Sequence, residues 1–317
     1  MDIEVLDGGM QTTIQDLGRT GYQAQGMVVS GAMDSYSFQI ANLLVGNPPN
    51  EPAIEMALVG PTLQANRDLV IAVTGADLGL EINGHPAPLW ETLPLRKGEI
   101  IRFTGDRKAG VRAYLAIQGG LELEPVFGSY ATYLMGGIGG YQGRALEKGD
   151  RLKVKKRSAT QSRFFHRKLP HELIPRYPKQ KCLRVILGIN QDAFTEEGIH
   201  TFLTHSYKIT PRYNRMGMRL MGPKISHRTK ADIISTTVTF GTVQVPANGQ
   251  PIILLADRQT TGGYTQIANV ITVDLPLLGQ SLVGESLSFR TISLEQAQQL
   301  AIERSRLLKQ LQTHQSF

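Results

Sequence analysis

A mainly β fold, built as two barrel-like domains with a few short helices, is predicted by three features of this 317-residue sequence. Brief apolar runs recur along its length, each closed by Gly, Pro, Asn or Asp. The 33 Gly and 16 Pro supply the many turns such runs need. The two halves also carry matched markers, and a repeat on this scale points to duplication of one domain. Arg19-Thr-Gly21 with Gly26 is answered by Arg215-Met-Gly217 with Gly222. Gln64 stands thirteen residues before Asp77, and Gln244 thirteen before Asp257.

Taken in chain order, Asp34 is placed to cap a first helix through Phe38, Ile40, Ala41 and Leu44, which stops at Gly46-Asn47-Pro48-Pro49. Strands are read at 69–73, Ile100–Phe103, 113–117 and 152–154. In the second half they fall at 184–187, 252–255, 270–273 and 287–289. A shorter helix is read from Asp192 to about Leu203. Ser293 and Gln296 make a capping box ahead of a helix whose Leu300, Leu307, Leu308 and Leu311 share one face and cover the chain's own core. The domain boundaries that follow are 1–155, a basic connector over 156–181, and 182–317 with the C-terminal helix.

Apolar residues at 41% and charged residues at 19% are enough for a buried core and exclude a disordered chain. No run approaches the length of a membrane span. Met1-Asp2-Ile3-Glu4 puts an acid where a signal peptide needs a basic start, so a cytoplasmic location is expected. The single Cys182 agrees with a reducing compartment. It opens an apolar run after Lys179-Gln180-Lys181 and is read as a buried structural thiol.

The net charge of +7 is concentrated in one segment. Residues 151–181 hold eleven Lys or Arg against the single acid Glu172, a local +10 that leaves −3 for the remainder. Phe164, Phe165 and Tyr177 lie among them, but Pro170, Pro175 and Pro178 break any regular recognition element. The segment is therefore read as a solvated connector or a docking strip for an acidic partner, and nucleic acid is not expected.

Several chemistries are excluded. There is no Gly-Lys-Ser/Thr loop for nucleotide phosphates and no His-Glu-x-x-His or paired cysteines for a metal. No Gly-x-Ser-x-Gly elbow is present, nor a Met-Lys-Met that would carry biotin. Gly136-Gly-Ile-Gly-Gly140 has Gln142 where the third dinucleotide-loop glycine should fall, and no helix pattern follows. What remains is a set of polar, Gly-rich loops: residues 15–19, the turn 30–34 before the first helix, the stretch 128–144, and 257–264.

The last of these is the densest. An apolar strand ends in Asp257-Arg-Gln-Thr-Thr-Gly-Gly-Tyr264. Such a segment either satisfies its own backbone as a hairpin or presents a site. Asp257 can act as a general base or orient Arg258, and a guanidinium suits a carboxylate or an oxyanion. Thr260 and Thr261 can donate to a carbonyl, and Gly262 and Gly263 permit close approach of backbone N–H groups. Asp16 and Arg19 are weaker candidates, equally readable as a turn salt bridge, and Asp77 is a third. For Asp34, capping alone is a sufficient account.

In order, residues 13–21 (Thr-Ile-Gln-Asp-Leu-Gly-Arg-Thr-Gly), 30–34 (Ser-Gly-Ala-Met-Asp), 215–217, 241–246 (Gly-Thr-Val-Gln-Val-Pro) and 257–264 closely resemble the allophanate hydrolase subunit 2 family. It is also called the biotin-dependent carboxyltransferase subunit family, and its free-standing bacterial members are the C subunits of 5-oxoprolinase. The resemblance runs from about residue 8 to residue 290. It implies two tandem cyclophilin-like β-barrel domains. It also implies a chain that works only inside a complex, with a smaller cyclophilin-like partner of the 5-oxoprolinase B type and a third partner of the A type. That complex uses ATP to hydrolyse 5-oxoproline to glutamate, with the nucleotide site on another subunit or at an interface. On this resemblance Asp257, Arg258, Gln259 and Tyr264 are the catalytic candidates. Thr260, Thr261, Gly262, Gly263, Asp16, Arg19 and Asp77 are candidates for binding a small amide.

Two other roles are implied by relatives: transfer of a carboxyl group from biotin to urea or a similar amide, and regulatory binding that antagonises a kinase inhibitor. This chain departs from the family pattern at Tyr130-Ala131, at Met135 where an arginine is frequent, and at Ser235-Thr236 where Ser-Glu is usual. The loss of two arginines and an acid leaves the exact substrate open.

Overall fold

The computed structural model describes residues 1–106, 109–155 and 167–313. The chain divides into two compact units. One comprises Met1–Arg19, Ser30–Tyr177 and the end of the chain from Arg306; the other comprises Thr20–Val29 and Pro178–Ser305.

The first unit is built on two antiparallel sheets. The six-stranded sheet runs Arg151–Leu152, Ile3–Asp7, Thr62–Ala65, Ile100–Phe103, Leu80–Ile82, His85–Pro86. The five-stranded sheet runs Gln11–Gln15, Ala53–Ala57, Arg112–Ile117, Leu69–Gly75, Thr92–Leu95. Strand alternation sends Ile71, Val73, Ala113 and Leu115 into the core shared with Val5, Leu63 and Ile101 of the other sheet. The opposite face, with Ala72, Tyr114 and Ala116, is covered by the helix Ser35–Leu44 through Phe38, Ile40, Ala41 and Leu44. Burial on both faces is why 69–75 reads as an unbroken apolar run. Leu307, Leu308 and Leu311 of the C-terminal helix join this cluster, as their shared face predicts, whereas Leu300, read on the same face, is not part of it.

A buried polar network fixes that helix. Asp34 accepts from the Ser37 amide at 2.9 Å and its hydroxyl at 2.6 Å, the capping read from sequence. The Tyr114 hydroxyl accepts from the Asp34 amide and donates to Glu55, both at 2.8 Å. Glu55 also accepts from the Met33 amide at 2.8 Å and faces Arg112 at 3.7 Å. Burial first, and then the carboxylates of Glu55 and Asp34, hold the Tyr114 phenol well above its ordinary 10.0, so it stays a donor.

The second unit holds a closed seven-stranded barrel. Its order is Gln180–Leu187, Gln266–Val270, Thr242–Gln244, Ile252–Leu254, Gly217–Met221, Tyr207–Tyr213 and Ser286–Thr291, which pairs in parallel with the first. Leu183, Val185, Met218, Val243 and Ile253 are buried inward-phase residues. The helix Glu196–Thr204 lays Phe202 on Phe289 with ring centroids 4.4 Å apart. A two-stranded ribbon, Asp232–Thr237 with Thr261–Tyr264, stands outside the barrel strands.

The structure corrects several expectations. The second helix starts at Glu196 under a Thr195 cap; Asp192 lies in a separate 3-10 turn, Gln191–Ala193. Residues 270–273 are not a strand, because the chain leaves the barrel at Val270 and turns through Thr272–Asp274. Cys182 is exposed: in the strand Gln180–Leu187 the inward phase belongs to Lys181, Leu183 and Val185, so the thiol faces out. The matched markers do not hold matched places. Strand Leu69–Gly75 is flanked by 112–117 and 92–95, both later in the chain, whereas Ile252–Leu254 is flanked by 217–221 and 242–244, both earlier.

Several cations of the basic segment have acidic partners, while Arg151, Lys153, Lys168, Arg176 and Lys179 remain exposed. Arg151 pairs with Glu4, Lys153 with Glu122, Lys155 with Glu51, Lys168 with Glu91, and buried Lys181 with Glu285 at 2.6 Å. Arg167 donates to the Leu43 carbonyl at 2.7 Å. Residues 156–166, with Phe164 and Phe165, lie outside the described residues.

Two outcomes are expected. Tyr114→Phe removes one hydroxyl and strands two buried partners, so urea unfolding of the variant is expected to show a loss of about 1–3 kcal/mol; an unchanged midpoint contradicts the network. Burial pushes the His227 imidazole below its ordinary 6.5. The fold therefore favours neutral His227. The associated stability is complete above the unfolded value and is lost as pH falls through the lower folded value. As pH falls below the ordinary imidazole value of 6.5, the wild-type chain should lose stability more steeply than His227→Gln.

Candidate functional site

A cavity of about 420 Å³ lies on the outer wall of the barrel. Its floor follows from register. Gly217 pairs with Leu254 and Arg219 with Ile252, and Ile252 pairs in turn with Gln244. Paired residues share a face, and Met218, Ile253 and Val243 occupy the inward one. Gly217, Arg219, Leu254, Ile252 and Gln244 are thus displayed together on the outside. The chain bend 211–216 adds Tyr213, Asn214 and Met216, and Gln259 and Tyr264 close the other side.

The ribbon is what covers Gln244, which faces out of the barrel yet is only 1% exposed. Its side-chain amide donates to the Tyr264 carbonyl at 3.2 Å. A Cβ on Gly262 would stand 2.5 Å from that same nitrogen, so any larger residue there would displace the Gln244 amide. The run 261–264 is therefore a strand, not the loop its composition predicts.

Asp257 and Arg258 serve behind this wall. Both oxygens of Asp257 accept from the Arg215 guanidinium, at 3.0 Å each, and Asp257 is 4% exposed. Two backbone bonds run beside the pair, from the Asp257 amide to the Arg215 carbonyl and from the Leu255 amide to the Met216 carbonyl. The pair thus fastens the 214–217 bend to the 255–258 turn. The Arg258 guanidinium points to the carbonyls of Val238, Leu255 and Ala256 at 3.3–3.4 Å, and burial lowers its pKa to about 10. Asp257 holds Arg215, and its charge also acts on Arg258, the partner expected from sequence.

Of the predicted residues, Gln259 and Tyr264 line the cavity; Asp257, Arg258, Thr260, Thr261, Gly262 and Gly263 do not. Asp16, Arg19 and Asp77 belong to the first unit. Asp16, 1% exposed, accepts from the Gly18 and Tyr130 amides and the Ser129 hydroxyl at 2.7–2.8 Å. Arg19 donates to the carbonyls of Ala131 and Val126. Together they brace the 126–132 segment. Asp77 closes its own turn through the Gly79 amide at 3.0 Å. Thr236, where the family resemblance leads one to expect an acid, accepts from Gln266 at 3.0 Å.

Sequence reasoning missed Gln244, Arg212, Arg219 and Tyr213. Period-2 phase around Arg219 and Gln244 is the available signal, but it needs the register to say which phase faces out.

Among the described residues no group of three or more His, Cys, Asp or Glu is placed to hold a metal ion, and no helix is long and apolar enough to cross a membrane. Asp257→Asn leaves Arg215 buried without its counter-charge. A loss of about 3–5 kcal/mol in the second unit's unfolding is expected; a variant as stable as wild type shows that the pair does not fasten the bend.

Comparison with known proteins agrees with the resemblance carried by the motifs. Residues 25–291 match the family model described as carboxyltransferase domain, subdomain A and B. The chain is 36% identical to the C subunit of 5-oxoprolinase from Haemophilus influenzae over 298 residues, 94% of each chain. It is also 36% identical to the C subunit of 5-oxoprolinase from Escherichia coli, over 98% of this chain and 97% of that one. The crystal structure of K. lactis urea amidolyase superposes on all of this chain with a TM-score of 0.92 and 31% identity, and the matched part is 20% of that much longer protein. With the family model spanning most of the sequence and two bacterial relatives aligned over nearly their whole length, the chain belongs to the carboxyltransferase-domain family of subdomains A and B.

Proposed function

We propose that this chain is the larger, carboxyltransferase-like subunit of an ATP-dependent 5-oxoprolinase, which hydrolyses 5-oxoproline to glutamate. The likeness over nearly the whole length to two bacterial 5-oxoprolinase C subunits carries this reading. The cavity on the barrel wall supports it chemically. Ile252, Leu254 and Tyr213 offer apolar walls to a five-membered ring, and the amides of Gln244 and Gln259 offer partners to a lactam.

An unstrained lactam is a poor electrophile, so ATP activates its carbonyl before water attacks the ring. Charge then develops on that oxygen, and fixed donors beside it lower the barrier. We assign Gln259 and Tyr264 to substrate contact, and Asp257 with Arg215 and Arg258 to holding the wall in place. The sequence holds no nucleotide-phosphate loop. The ATP site accordingly belongs to another subunit or an interface. Two partner chains complete the assembly, one of them the smaller cyclophilin-like chain. This chain carries no biotin lysine of its own, and we assign the complex to the cytoplasm.

The match to urea amidolyase over the whole chain favours a second reading, carboxyl transfer from biotin to a small amide such as urea. A biotin carboxylase and carrier encoded beside this chain would favour that reading over the first.

The test is ATP-dependent formation of glutamate from 5-oxoproline, with and without the two partner chains. Turnover is expected only in the full mixture. Gln259→Ala and Tyr264→Ala should each lower it at least tenfold, about 1.4 kcal/mol of barrier, in chains that still fold. Unchanged rates in both variants remove the barrel wall from the reaction.

A further inference from the structure

Two side chains on this wall have no part in the chemistry described so far. Arg212 and Arg219 both line the cavity, and both are exposed. They lie on neighbouring strands, Tyr207–Tyr213 and Gly217–Met221. Ile209 pairs with Leu220 and Tyr213 with Met218, so a bulge of residues 210–212, ending in Arg212, stands opposite the single residue Arg219. Like charges facing each other across a strand pair are unfavourable unless something neutralises them. Neither guanidinium has an acidic partner among the described residues, and no Asp or Glu lines the cavity. Nearby Arg215 is paired with Asp257 and Arg258 is turned into backbone carbonyls, so the exposed charge lining the cavity is that of Arg212 and Arg219. An adjoining recess of about 450 Å³ shares Pro211, Arg212, Arg219 and Ile252, and its lining is likewise free of acids.

We propose that Arg212 and Arg219 form a carboxylate clamp that makes this site select a small amide bearing its own carboxylate over a neutral amide of the same shape. The proposal rests on reading the cavity as the substrate site. A guanidinium offers two parallel N–H donors to a carboxylate, and two such groups at one rim fix the orientation of an anion as well as its charge. The apolar residues Ile252 and Leu254 lie beside Arg219 on the same face, so the ring of a carboxylated lactam has a surface to rest on while its carboxylate meets the arginines. Orientation then carries the amide bond toward Gln244 and Gln259.

The test compares binding of 5-oxoproline with that of 2-pyrrolidinone, the same lactam without the carboxylate, by calorimetry on this chain alone and in its assembled complex. The wild-type protein should prefer 5-oxoproline at least tenfold. Arg212→Gln and Arg219→Gln should each cut the preference, and the double variant should abolish it, while Arg219→Lys keeps part of it. The variants are expected to fold, since each removes one of two facing like charges. Equal affinity for the two lactams in the wild-type protein, no binding of either, or an undiminished preference in the double variant overturns the clamp. Turnover of 5-oxoproline, read in parallel, separates the two claims. Its absence with the preference intact removes the 5-oxoprolinase reading and leaves the clamp standing.

Discussion

The buried pair Arg215–Asp257 is the contact on which the second unit's outer wall depends. It joins residues 42 apart in sequence with two 3.0 Å charge-assisted bonds, and it does so where both partners are nearly closed off from water. Breaking such a pair is costly because the survivor keeps its charge in a poorly solvated place. Its geometric effect is local and specific. The bend that presents Tyr213, Asn214 and Met216 is held against the turn that leads to Gln259, so both sides of the cavity are set by one contact.

A functional wall on the outside of a closed barrel follows from alternation. Inward-phase positions are committed to the core, as Met218, Val243 and Ile253 are. Chemistry has only the outward phase to use, and the ribbon converts part of that exposed face into a recess by covering Gln244. Gly262 is a point of close approach, where a Cβ would stand 2.5 Å from the Gln244 amide nitrogen. The first unit uses buried polar groups for a different purpose. There Glu55, Tyr114 and Asp34 hold the 30–34 turn that leads into the first helix.

Much of this is legible in the sequence. The caps at Asp34 and at Ser293 with Gln296 act as read, with the latter bonds at 3.0 and 3.2 Å. The run 257–264 gives Gln259 and Tyr264 to the cavity lining, and the strands before Asp77 and Asp257 are where the apolar residues put them. Long-range pairing is what a single sequence conceals. Arg215 stands out as a repeat marker, but nothing local says that its partner is Asp257. The acidic partners of the charge-rich segment are distant in sequence; Glu4, Glu51, Glu91, Glu122 and Glu285 meet it only in the fold. Residue type makes Cys182 a buried thiol, whereas strand phase decides its exposure. Matched spacing of Gln and Asp in the two halves suggests equivalent places, and strand order shows that they are not.

If substrate sits on the outer wall of the second unit's barrel, a crystal structure of the assembled complex with 5-oxoproline bound is the most direct measurement of it. The lactam ring is expected against Ile252 and Leu254, within hydrogen-bond reach of Gln259 or Gln244. A lactam bound away from that wall, for example beside the glycines of 136–143 in the first unit, contradicts the assignment.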